Sequence, residues 1–217
     1  MAKLTWDQTS ARLYETGVKK GVLYVMEGGE YGNGVAWNGL TAVTESPSGA
    51  EATALYANDS KYLELLSNEE FGGTIEAYTY PEEFAACDGS AALATGVMIG
   101  QQKRSTFGFS YITTIGNDSE GNDYGYKVHI VYGAKAAPSE KAYATINDSP
   151  EAITFSWEFT TTPVEVEGFK PTAHIEIDST KVAEGKMETL LAMLHGSESE
   201  EAKLPTPAEI KEMFAGA

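Results

Sequence analysis

The chain has 217 residues, 42% of them hydrophobic, and a formal net charge of −17 from 32 acidic against 15 basic side chains. That length suits one large β domain or two small ones, and the apolar content excludes wholesale disorder. The acidic excess argues against a protein that grips nucleic-acid phosphates, which needs a basic footprint.

The N-terminal run MAKLTWDQTS has no apolar core of the secretory kind, and no stretch reaches membrane-spanning length. The expectation is a chain made in a cytoplasm, with no membrane partner. Strand candidates follow at Gly21–Met26, Val35–Thr44 and Glu51–Ala57. Between the last two lies TESPSGAE, Thr44–Glu51, where Pro47 and Gly49 mark a turn. Asp59–Asn68 carries Tyr62, Leu63, Leu65 and Leu66 behind Asn58-Asp59, which predicts one short capped helix. Thr74–Tyr80 is a further strand candidate. Cys87 is the one cysteine, which excludes an intramolecular disulfide, and it reads as a small buried residue.

Clear alternation begins at Phe107. Phe107, Phe109 and Tyr111 share a face against Thr106 and Ser110. Tyr124, Tyr126, Val128, Ile130 and Tyr132 share another against Lys127 and His129. Lys141–Ile146 is a weaker strand. Ile153–Thr160 alternates without a fault, with Ile153, Phe155, Trp157 and Phe159 on one side and Thr154, Ser156, Glu158 and Thr160 on the other. Ala173, Ile175 and Ile177 alternate against Thr172, His174, Glu176 and Asp178. Such strands have one apolar and one wet face, unlike the strands of a parallel α/β sheet. Gly-, Asn-, Asp- and Ser-rich punctuation separates them, and the Asn-Asp-Ser triplets at 58–60, 117–119 and 147–149 read as turns.

A helix of about 180–195 follows, with Met187, Leu190, Leu191 and Leu194 at helical spacing and Gly196 as its stop. Residues 1–196 therefore read as one β domain. Residues 197–217 read as an acidic linker, SESEEAK, and a short helix opened by a capping box of Thr206, Pro207 and Glu209. Its stripe of Ile210, Met213 and Phe214 docks either on its own domain or on a neighbour.

No phosphate loop, nucleophile elbow or dinucleotide fingerprint is present. A zinc site would lean on His129, His174 and His195, which lie on separate elements. No catalytic residue, cofactor or metal is expected. The predicted fold is mainly β: an antiparallel β-sandwich or partial barrel with one flanking helix, an extended loop or hairpin and a C-terminal arm.

Four blocks carry a resemblance. They are LTWDQTSARLYETGVKKGVLY at 4–24, YGNGVAWNGLTAVTESPSGAEATALYANDSKYLELLS at 31–67, GGTIEAYTYPEEFAACDG at 72–89, and GYKVHIVYGAKAAPSEKAYATINDSPEAITFSWEFTTTPVEVEGFKPTA at 125–173. In wording and order they resemble the major tail protein, or tail tube protein, of long-tailed, non-contractile bacteriophages and prophages of Gram-positive bacteria. The resemblance implies a structural virion protein without enzymatic activity. It would form stacked, usually hexameric rings making a hollow tube that carries genomic DNA. The other implied partners are the tape-measure and the tail-tip or terminator proteins. On that reading the DNA is a transiting polymer that an acidic or neutral wall weakly repels. Thr154, Ser156, Glu158, Thr160, Glu45 and Glu51 are the wall candidates. Ser46, Pro47, Ser48 and Gly49 are the expected tip of an inter-ring hairpin, and Ile210, Met213 and Phe214 a docking arm. The rival readings are the tube of a contractile tail or injection device, a carbohydrate-binding β-sandwich, and an enzyme on such a sandwich.

Overall fold

A computed structural model describes residues 3–146, 148–183 and 185–215. The third Asn-Asp-Ser triplet, through Asn147, lies partly outside them. In chain order the strands are β1 (Leu13–Glu27), β2 (Glu30–Tyr31), β3 (Val35–Trp37), β4 (Leu40–Glu45), β5 (Ser48–Gly49), β6 (Ala52–Ala57), β7 (Ser60–Leu66), β8 (Glu69–Glu70) and β9 (Gly72–Ala77). A short helix α1 (Ala85–Asp88) precedes β10 (Ala91–Ala94), β11 (Val97–Ile99), β12 (Phe107–Asn117), β13 (Gly121–Ala136), β14 (Phe155–Thr161) and β15 (His174–Asp178). Two helices close the chain, α2 (Lys186–His195) and α3 (Pro207–Phe214). Strands hold 46% of residues and helices 12%, so the fold is mainly β, and the pairings are antiparallel.

Among the described residues one large sheet runs β2-β1-β12-β13-β14-β9-β4, with β15 added to β13 and β3 to β1. β3 and β4 are joined by the Asn38-Gly39 turn, yet β3 pairs with β1 while β4 pairs with β9. That link draws the two ends of the sheet together and curls it into a partial barrel. β13 makes the bend possible, because its Lys127–Val131 half pairs with β15 and its Ala134–Ala136 end with β14. Gly133 sits between the halves at φ +60°, where a Cβ would collide with the Thr162 carbonyl.

The barrel interior is aromatic. Trp37, Phe84, Phe107, Phe109, Trp157 and Phe159 are buried there with Leu23, Ile75 and Val131. Phe84 lies 4.6 Å from Trp37 and 5.1 Å from Trp157, both in tilted or edge contact, the arrangement the ring quadrupoles favour. Cys87, on α1, is fully buried in this core, and burial pushes its thiol up to about 12, with Asp88 adding to the effect. On β14 the alternation holds: Trp157 and Phe159 point inward, and Glu158 and Thr160 are exposed. Ile153 and Thr154 precede the strand.

A second core lies outside the barrel. Val22, Tyr24, Ile112, Val128, Ile130, Tyr132 and Ile177 pack under Met187, Leu190 and Leu194 of α2, Leu204 and Ile210. The central strands β12 and β13 are therefore covered on both faces. Ser110, read as facing water, is buried with its hydroxyl 3.3 Å from that of Tyr24, which also donates to the Leu194 carbonyl at 2.7 Å.

Several expectations change. Residues 59–68 form no helix: Asn58 and Asp59 take φ of +50° and +61°, the left-handed pair of a tight hairpin turn, and Ser60–Leu66 becomes β7 against β6. Tyr62, Leu63, Leu65 and Leu66 fit a strand that is apolar on both sides as well as they fit a helix. Lys141–Ile146 is not a strand. The segment is mostly exposed and anchored at its start, where the Lys141 ammonium meets Asp88 at 2.5 Å and lies over the Tyr80 ring. The helix expected from about 180 starts at Lys186, because Asp178 accepts from the N–H and hydroxyl of Thr180 and forms a turn there.

The tail is part of the body. α3 opens on the expected capping box, with the Thr206 hydroxyl accepting from the Glu209 N–H and the Glu209 carboxylate accepting from the Thr206 N–H at 2.7 Å. Ile210 is only 7% exposed, and Met213 and Phe214 pack on the same cluster. Lys186 Nζ donates to the Met213 carbonyl at 2.6 Å, and Tyr132 Oη to the Pro205 carbonyl at 2.8 Å. The apolar stripe thus docks on its own domain, not as a free arm.

Candidate functional site

Three surfaces stand out once the two cores are accounted for. The first is an arm. The chain leaves the sheet at the end of β4, passes through a neck of β5 and β8, and forms the β6–β7 hairpin before returning as β9. Ser46, Pro47, Ser48 and Gly49 are therefore the neck, and the tip is Asn58-Asp59. The neck is tight: Ser46 N–H donates to the Gly72 carbonyl at 2.8 Å. Gly49 takes φ +83°, and a Cβ there would collide with the Asn68 carbonyl. β7, seven residues long, reaches about 23 Å at roughly 3.3 Å per residue.

The arm is apolar on both faces and stands clear of the body. Register places Leu55 opposite Leu63 and Thr53 opposite Leu65, so the three leucines share one face. Tyr62 and Leu66 lie on the other, 71% and 72% exposed. Two-stranded hairpins are marginal alone, and a monomer rarely leaves apolar side chains so concentrated in water. A second hairpin, β10–β11, likewise exposes Leu93, Val97 and Met98. Beside it runs an open trough of about 1100 Å³ edged by Val25, Tyr80, Ala92 and Met98. Its volume slightly exceeds the 300–1,000 Å³ usual for small-molecule pockets, and it suits a polypeptide better.

The second surface is the uncovered outer face of β4, β9 and β14. Pairing aligns Thr44 with Thr74, Thr74 with Glu158, and Glu76 with Ser156; Thr160 follows on the same side beside the exposed Lys135. This is a small polar wall with two carboxylates and one ammonium. Of the six wall candidates it holds Ser156, Glu158 and Thr160. Thr154 precedes the strand, and Glu51 belongs to the arm, its N–H bonded to the Ser67 hydroxyl at 3.0 Å. Glu45 pairs with the inward-facing Gly73 and so turns into the barrel mouth.

The third surface is that mouth. Glu45 Oε1 accepts from Tyr111 Oη at 2.5 Å and lies 3.3 Å from His129 Nδ1 and 3.7 Å from His174 Nε2. The two histidine nitrogens face each other across 3.3 Å, and the Thr113 hydroxyl lies 3.0 Å from His129 Nε2. Strand pairing builds the group: Tyr111 is opposite His129, and β15 brings His174 diagonally beside it. The rings are held by stacking, Tyr111 on His129 and Phe71 on His174, each 4.6 Å between centroids. The contact with His129 holds the Glu45 carboxyl down at about 2. Burial lowers His174 from the ordinary histidine value. His195 stays apart, as the last residue of α2.

Sequence reasoning separated the histidines, because His129 and His174 stand 45 positions apart and the β13–β15 register joins them. It also placed the arm's tip too early. No protein-family model and no curated protein matches the chain.

Proposed function

We propose that this chain is a self-assembling structural subunit whose copies join into rings and a hollow tube, the tail tube of a non-contractile phage tail. The observation that carries the reading is the β6–β7 arm, with Leu55, Leu63, Leu65, Tyr62 and Leu66 in solvent on a hairpin that its own body does not cover. A second copy supplies the natural cover. A head-to-tail contact of arm onto body repeats from copy to copy, and such contacts close into rings or extend as filaments. The exposed β10–β11 hairpin and the trough beside it, apolar along Val25, Tyr80 and Met98 and bordered by Glu27, Glu82 and Glu83, offer a receiving surface of suitable size.

The charge pattern supports a passage for DNA. Duplex DNA carries one negative charge per about 1.7 Å of axis, and a basic wall would bind it by counterion release. The β4–β9–β14 face sets the two carboxylates of Glu76 and Glu158 against the single ammonium of Lys135 among mostly hydroxyl neighbours, so it has little net attraction for a phosphate. Repulsion from it decays over about 8 Å at physiological salt, so DNA is held off the wall without being barred from the tube. Tape-measure and tail-tip proteins are the partners this reading requires, in a virion tail assembled in the bacterial cytoplasm.

Negative-stain microscopy of the purified chain, alone and at rising concentration, tests the reading. Hollow rings or tubes of uniform diameter are the expected outcome, with none from a chain whose residues 51–67 are replaced by a short glycine-serine turn. Identical behaviour of the two chains, or tight glycan binding by a stable monomer, would overturn it.

A further inference from the structure

The barrel mouth gathers three donor atoms with no need for them in either core. Glu45 Oε1, His129 Nδ1 and His174 Nε2 form a triangle of 3.3, 3.3 and 3.7 Å. In a tetrahedral zinc site, bonds of about 2.0–2.2 Å place neighbouring ligand atoms about 3.3–3.5 Å apart. Two edges of the triangle already have that length, and the third, from Glu45 to His174, is slightly longer at 3.7 Å. Two imidazoles and a carboxylate are also the donor set that zinc and its neighbours in the first transition row accept.

The surroundings fit a metal site as well. His129 Nε2, on the far side of its ring, meets the Thr113 hydroxyl at 3.0 Å, and Glu45 accepts from Tyr111 Oη. These are the outer contacts that orient ligands and fix which ring nitrogen is free. His129 is buried and His174 half-buried, while Glu45 is more open, so the group is rigid on one side and reachable on the other.

We propose that Glu45, His129 and His174 bind one divalent transition-metal ion, of the zinc class, with water in the fourth position. The two rings meet head-on, so binding requires each to tilt toward a common point on the Glu45 side. The consequence is mechanical. Glu45 is the last residue of β4, and Ser46 begins the neck of the arm. Among the described strands β4 pairs its backbone with β9 alone, and Tyr111 of β12 already holds the Glu45 carboxylate, so a metal at Glu45 would tie β4 across the mouth to β13 and β15 as well. The base of the arm would then be fixed to the barrel at both ends of its neck. This inference is independent of the assembly reading.

Calorimetric titration of the metal-free full-length chain with zinc, and visible absorption with cobalt(II), test it. One equivalent of zinc and an intense four-coordinate cobalt spectrum are expected. Glu45→Gln and His174→Gln should each weaken zinc binding more than about a hundredfold, beyond the 10–100-fold typical of losing an outer contact. Thr113→Val should fall within that smaller range, and His195→Gln should change nothing. His129→Gln sits in a buried position, so the two accessible variants carry the decision. No zinc heat from the parent chain, an octahedral cobalt spectrum, or zinc affinity in Glu45→Gln and His174→Gln equal to the parent's would overturn the proposal.

Discussion

The arm and the tail helix are both short appendages with an apolar stripe, and they meet opposite fates. α3 buries Ile210 and packs Met213 and Phe214 on α2 and the outer sheet face, while β6–β7 leaves its leucines and tyrosines in water. Helix α3 has only eight residues and would be marginal alone, so docking is what makes it a helix. The arm is no more stable by itself, but its neck carries it away from any apolar face of its own chain. Apolar surface on a tethered segment thus settles on the body when the tether points inward, and awaits another molecule when the tether points out.

The strongest way to break this comparison is to make the arm polar. Tyr62→Glu with Leu66→Glu should abolish ring or tube formation under the microscope. The subunit's own unfolding should move by no more than about 0.5 kcal/mol, as for other surface changes. A large loss of subunit stability would mean that the arm packs on its own body after all. Next in size is the cover of the outer core. Leu190→Ala should cost about 2–5 kcal/mol in denaturant unfolding, because Leu190 is fully buried between α2 and the sheet.

Smaller effects separate the tail from the rest. Thr206→Ala should cost about 1 kcal/mol, the usual value of an N-cap, and speed hydrogen exchange in α3 without changing it in β12 and β13. Acid should act on the same helix. Lys203, 2.5 Å from Glu209, and then the Thr206 N–H hold the Glu209 carboxyl below its ordinary value. A depressed folded pKa contributes stability above the unfolded value, and that stability is lost as pH falls through the folded one. Protease cleavage at the tail should therefore rise below about pH 4.3, the unperturbed glutamate value.

How much could be read beforehand followed the range of the interactions. The capping box spans four residues, from Thr206 to Glu209, so local chemistry was enough to place it. The face of β14 was legible because Phe155, Trp157 and Phe159 alternate with polar residues and the sheet obeys that period. β7 was misread because Asn58-Asp59 serves equally as a helix cap or as a left-handed hairpin turn, and its strand has no polar face to betray it. Ser110 misled for another reason: a polar residue on a strand is wet only if nothing packs above it, and here Tyr24 and α2 do. The mouth cluster was invisible because Glu45, His129 and His174 meet only through barrel closure and strand register.

Cys87 carries a practical consequence. The only thiol in the chain is sealed in the aromatic core and held protonated well past neutral pH. Maleimides attack the thiolate, so the native sulfur should stay silent in the folded subunit. A cysteine placed at Thr160, at the arm's tip or in the trough would report alone, before and after assembly, with no need to remove the natural one. The interior packing of α1 thus supplies a clean chemical background on which every outward face of the molecule can be mapped.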